Sequence, residues 1–126
     1  MKRDMDLARD ILFAIEQNED VPLGWIDLNI PGRSSEEVAY HVLILAEAGL
    51  IEAHPLSTHS GFDYRPKRLT WQGHEFLDTA RSNTLWERAK KETLKQTGGL
   101  SLDLLKAALL HFGKQALYIS TSTFLP

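Results

Sequence analysis

Five histidines, His41, His54, His59, His74 and His111, are the first residues to test for chemistry. A helical zinc site of the H-E-x-x-H kind needs two histidines four apart. His74-Glu75 lacks the second one, and the other histidines show no ligand spacing. The chain has no cysteine, which removes thiolate metal sites, thiol nucleophiles and disulfides together. Gly98-Gly99 follows no expected strand and so makes no phosphate loop. Asp27, His74 and Ser57 supply the residue types of a hydrolytic set, but nothing in their spacing joins them. The sequence therefore predicts no catalytic residue, no metal site and no cofactor.

What remains is charge. The chain carries 14 Lys+Arg against 17 Asp+Glu, a net −3, unevenly spread. Residues 34–53 hold Glu36, Glu37, Glu47 and Glu52 with no Lys or Arg. Residues 54–74 hold Arg65, Lys67 and Arg68 against Asp63, and residues 81–95 hold Arg81, Arg88, Lys90, Lys91 and Lys95 against Glu87 and Glu92. Such basic clusters can hold phosphates without reading sequence. The competing account is a charged edge strand that resists aggregation, and a solvated helix face.

The elements that position these charges follow from periodicity. Asp4 or Asp6 caps a first helix running to Gln17, with Leu7, Ile11, Phe13, Ala14 and Ile15 inward. In WIDLNI, residues 25–30, Ile26, Leu28 and Ile30 alternate with Trp25, Asp27 and Asn29, the pattern of a half-buried strand. Ser34 or Ser35 caps a central helix whose arc of Val38, Ala39, Val42, Leu43, Leu45, Ala46 and Leu50 points inward. Its opposite face carries Glu37, Tyr40, His41, Ile44, Glu47 and Ala48, and Gly49 ends it. Strands are expected over Leu50–Leu56 and Tyr64–Leu69 around a turn at 57–63, with a bulge at Pro66 or a regular strand only from Lys67. Thr70 caps a helix to Arg81 with Trp71, Phe76, Leu77 and Ala80 inward. A further helix spans Asn83–Thr97, anchored by Leu85, Trp86 and Ala89. Ser101 then caps the last one, and the tail STSTFLP frays. In that last helix Leu102, Leu105, Leu109, Phe112, Ala116 and Ile119 alternate spacings of three and four, an apolar seam suited to a partner helix or to the chain's own core.

The pieces Glu47-Ala48-Gly49-Leu50-Ile51 and Leu69-Thr70-Trp71-Gln72-Gly73-His74-Glu75-Phe76-Leu77 resemble those that end the recognition helix and follow the wing in bacterial winged-helix regulators. MKRDMDLARDIL, YHVLILAEAGLI and RLTWQGHEFLDTAR are similar to an uncharacterised bacterial and prophage family of unknown function, over roughly residues 1–110. The resemblance implies a winged-helix core and a mobile-element setting, and no activity. One departure is plain: a strand and two prolines fill the space before Ser34, where the middle helix of a helix-turn-helix would lie.

The sequence thus predicts an α+β, mostly α chain: a winged helix-like domain at 1–82 with a small antiparallel sheet, and a C-terminal helical extension at 83–126. No apolar run is long enough to span a bilayer and the start is too charged for a signal peptide, so a cytoplasmic protein without a membrane partner is expected. The leading expectation is a non-catalytic regulator that holds the DNA backbone. Its contacts would be Arg33, Arg65, Lys67, Arg68, Lys90 and Lys91, with Tyr40, His41 and Ile44 on the central helix. The alternative is a protein-interaction module using that helix face without DNA. The glutamates there weigh against a groove: an unpaired carboxylate about 8 Å from a phosphate costs roughly 2 kcal/mol before screening. Homodimerisation is expected through Leu102, Leu105, Leu109, Phe112 and Ala116.

Overall fold

A computed structural model of the chain describes residues 1–18, 24–58 and 61–122. It is mostly helical, with one two-stranded antiparallel sheet. The chain divides into two compact units, Met1–Leu77 and Asp78–Pro126. The expected boundary at residue 82 falls five residues earlier, inside a helix.

In the first unit α1 (Met5–Glu16) is capped by Asp4, whose carboxylate accepts the N–H groups of Asp6 at 2.9 Å and Leu7 at 3.3 Å. Met5, Leu7, Ala8, Ile11, Leu12 and Ile15 are buried. Phe13 and Ala14, expected inward, are half-buried; the Arg9 guanidinium covers the Phe13 ring at 4.9 Å.

Residues 25–30 alternate as expected, with Ile26, Leu28 and Ile30 half-buried and the residues between them exposed. They form no strand. The Ile26 N–H donates to the Pro66 carbonyl at 2.9 Å and the Ile30 carbonyl accepts the Arg33 N–H at 3.2 Å, which ties the segment down at both ends. Alternation reports a half-buried extended chain, and a ladder needs a partner edge besides. Among the described residues between this segment and α2 (Ser35–Glu47) no helix intervenes. Ser34 and Glu37 form a reciprocal capping box, and Gly49 takes φ +77° to end α2.

The hairpin pairs β1 (Ile51–Thr58) with β2 (Gly61–Leu69), from Ile51↔Leu69 to Thr58↔Gly61. It is longer than expected, because backbone pairing continues through the polar residues of the supposed turn; residues 59–60 lie outside the described chain. The register slips between Glu52 and Ala53, which face Arg68 and Pro66, leaving Lys67 as the extra residue of a bulge. Pro66 gives its carbonyl to Ile26, away from β1. The N–H that proline lacks is therefore one that would have pointed off the ladder.

Thr70 joins the hairpin to α3 (Trp71–Thr79). Its hydroxyl donates to the Gly49 carbonyl at 2.6 Å and accepts the Gly73 N–H at 3.1 Å, while its own N–H reaches the Leu50 carbonyl at 3.0 Å. The inner face of this helix begins with Gly73, Phe76 and Leu77. Trp71, expected inward, is 75% exposed, because it lies about 200° from Gly73 around the helix.

The second unit contains α4 (Asn83–Thr97) and α5 (Leu102–Ser122), which pack on one another. Ser82 caps α4, and Gly98 closes it in the left-handed region, its N–H on the Leu94 carbonyl at 2.8 Å. Trp86, Ala89 and Thr93 are its buried positions, while Leu85 is half-buried. In α5, Leu105, Leu109 and Phe112 are buried. The helix continues through Ser122, past the point where fraying was expected; residues 123–126 lie outside the described chain.

Candidate interaction surface

The amino end of α1 is fastened to the amino end of α2 by a mixed polar cluster. Arg33 pairs with the Asp4 carboxylate at 2.8 Å and with Glu37 at 3.3 Å. Beneath them His41 is 1% exposed. The Asp4 N–H donates to His41 Nε2 at 2.8 Å, so that nitrogen carries no proton. The proton therefore sits on Nδ1, which donates to the Glu37 carbonyl at 2.8 Å. His41 is thus a neutral strut between two helix starts. It does not belong to the outer face to which sequence assigned it, and Arg33 is committed to two carboxylates.

Burial raises the Asp4 carboxyl, but the Arg33 hydrogen bond and the capped N–H groups outweigh it, holding the carboxyl below the usual range. Arg33 is correspondingly raised, chiefly by its hydrogen bond to Asp4. A carboxyl depressed in the folded state stabilises above its unfolded value of about 4, and that contribution fades as pH falls through the folded value. Urea unfolding between roughly pH 6 and 3 should therefore show a steeper loss of stability in the wild type than in Asp4→Asn. Equal slopes would contradict the assignment.

The outer face of α2 is left with Tyr40 and Ile44, both half-buried, beside exposed Glu36 and Glu47. The Tyr40 ring meets the His41 ring edge-on at 5.8 Å. A polar cleft of about 870 Å³ opens beside it, lined by the 26–30 segment, α2 and β2. Two groups that face this cleft, Asp27 and Glu36, are carboxylates without an ion pair among the described residues.

The hairpin cations are already engaged. Arg65 pairs with Asp63 at 3.2 Å, Arg68 with Glu52 at 2.7 Å, and the Lys67 amine lies 4.9 Å from the Trp25 ring. Trp25 in turn meets the His54 ring at 5.1 Å. Sequence reasoning found the three cations and missed two of their partners: Glu52 is set opposite Arg68 by strand register and Trp25 reaches Lys67 from the extended segment, whereas Asp63 lies only two residues from Arg65 along β2.

In the second unit Lys90 pairs with Glu87 at 3.2 Å and lies 5.7 Å from the Trp86 ring, whereas Lys91 is exposed. Of the expected dimer seam, Leu105, Leu109 and Phe112 are buried and Leu102 is half-buried, so these positions are not a free surface. Only Ala116 remains exposed, with Leu117, Tyr118 and Ile119 after it. Charge divides between the two units: residues 1–77 carry 13 acidic and 7 basic groups, a net −6, and residues 78–126 carry 4 and 7, a net +3.

No helix is long and apolar enough to cross a membrane among the described residues, and no three His, Asp or Glu side chains gather there to hold a metal ion.

A family of hypothetical proteins, DUF2513, matches residues 2–100. An uncharacterized protein of Haemophilus influenzae is 39% identical over 106 residues, covering 84% of this chain and 90% of that protein. No solved structure matches. The match takes in α1 through α4, and the chain belongs to the DUF2513 family of hypothetical proteins.

Proposed function

We propose that this chain is a non-catalytic, winged-helix-like interaction module of prophage or mobile-element type. In this reading it acts in a regulatory role in the cytoplasm and meets a protein partner through the outer face of α2. The observation that carries the reading is electrostatic. In the first unit the hairpin arginines and Arg33 already face carboxylates, while Glu36 and Glu47 stand exposed beside Tyr40 and Ile44. A phosphate backbone approaching there would meet net negative charge and would have to displace those carboxylates from the arginines. A protein surface with an apolar centre and basic rim is the complementary shape for Tyr40 and Ile44 ringed by glutamates.

The order helix, extended segment, helix, hairpin, helix supports the winged-helix comparison, with the extended segment in the place of the middle helix. A second reading, DNA backbone contact, is favoured by one observation. Lys91 and Lys95 are exposed on α4 without an ion pair among the described residues, in the unit of net positive charge.

The first reading is tested by quantitative co-purification from the native host. Ile44→Glu and Tyr40→Ala are expected to lose a protein partner that wild type and Lys91→Glu/Lys95→Glu retain. A buried tyrosine anchor is worth about 2 kcal/mol, roughly thirtyfold in affinity. Recovery that depends on Lys91 and Lys95 and disappears on nuclease treatment would favour the second reading instead.

A further inference from the structure

The seam of α5 does not stop where α4 stops covering it. Leu105, Leu109 and Phe112 are buried, and the same alternation of four and three continues to Ala116 and Ile119, which are exposed, Ile119 by 63%. Around this end Leu117 is 70% and Tyr118 78% exposed. Beside it runs an apolar groove whose walls include Leu85 of α4 and Phe112, Ala116 and Ile119 of α5. Among the described residues its charged groups are Arg88 and Lys114, with no carboxylate. The Arg88 guanidinium lies over the Phe112 ring, 4.0 Å from its centroid.

We propose that this groove is a docking site for an acidic amphipathic helix of a partner protein. The occupant follows from charge and shape. An apolar trough continuing a helix-packing seam takes a helix by its i, i+3, i+4, i+7 positions. The basic rim and the net +3 of the unit select acidic flanks on that helix. A second copy of this unit would set the groove of Arg88 and Lys114 against an identical basic groove, a like-charge contact with no carboxylate among the described lining residues to relieve it. This site lies on the second unit and does not depend on the α2 face proposed above.

The probe is a labelled synthetic helix of about 18 residues with leucine on one face and glutamate elsewhere, against the same peptide with lysine for glutamate, read by fluorescence anisotropy on the full chain. The acidic peptide is expected to bind about tenfold or more tightly than the basic one, and its affinity should fall with added salt. Ile119→Glu, and independently the exposed Ala116→Glu, should each weaken it about tenfold, while Arg88→Glu/Lys114→Glu should reverse the preference between peptides. Ile44→Glu should leave it unchanged, which separates failure here from failure of the α2 reading. Equal affinity for the two peptides, or no binding of either, would overturn the proposal. So would a wild-type dimer in sedimentation equilibrium that Ile119→Glu dissociates, since a second copy would then be the occupant.

Discussion

Gly73→Ala is expected to destabilise the first unit by about 3–5 kcal/mol, enough to leave a domain of ordinary stability partly unfolded at 37 °C. A Cβ at residue 73 would fall on the Leu50 carbonyl oxygen, with the Leu50 carbonyl carbon at 3.0 Å and the Leu69 side chain at 3.4 Å. None of these can give way cheaply. The Leu50 carbonyl accepts the Thr70 N–H, and Leu50 and Leu69 are both buried. The first turn of α3 is pressed onto the end of α2 by the Thr70 hydroxyl, which bridges the Gly49 carbonyl and the Gly73 N–H. The glycine-leucine turn after α2 and the L-T-x-x-G start of α3 are therefore two halves of one contact. Urea unfolding followed by circular dichroism measures the loss. A change below about 1 kcal/mol would mean that α3 is free to shift away from Leu50.

His41→Ala is expected to cost about 3 kcal/mol. It removes a buried ring and leaves the Asp4 N–H without its acceptor, and both effects act at a position only 1% exposed. His41→Phe separates them. It keeps most of the volume yet still orphans the amide, so a loss of about 2 kcal/mol should remain. Hydrogen exchange at the Asp4 amide should quicken in both variants, because opening there no longer breaks a bond to the imidazole. Full stability in His41→Phe would show that the ring acts by filling space alone.

These two residues also show where the sequence was legible and where it was not. Helix and hairpin positions, the capping serine of α2, the left-handed Gly49 and the bulge at Pro66 all follow from local rules that act within a few residues. Gly73 was invisible to a search for apolar periodicity, because its contribution is the absence of a side chain where two backbones meet. His41 was misassigned by polarity: around the helix it lies only about 40° from Leu45, at the edge of the buried arc, and it is tolerated there because both ring nitrogens find backbone partners. Ion pairs across the hairpin, such as Arg68 with Glu52, depend on strand register, which the bulge resets. In α5 the seam was read correctly as apolar, but spacing alone could not tell how many of its turns α4 would cover.

The central claim is that the carboxylates opposite Arg33, Arg65 and Arg68 leave the α2 and hairpin surface without usable positive charge. It is tested most directly by titrating the full chain with mixed-sequence duplex DNA across roughly 50 to 200 mM salt. The account predicts binding that is weak at the lowest salt and unchanged when Arg65, Lys67 and Arg68 are replaced by alanine. Tight binding at low salt that weakens steeply with added salt, and that is lost in the same triple variant, would contradict it.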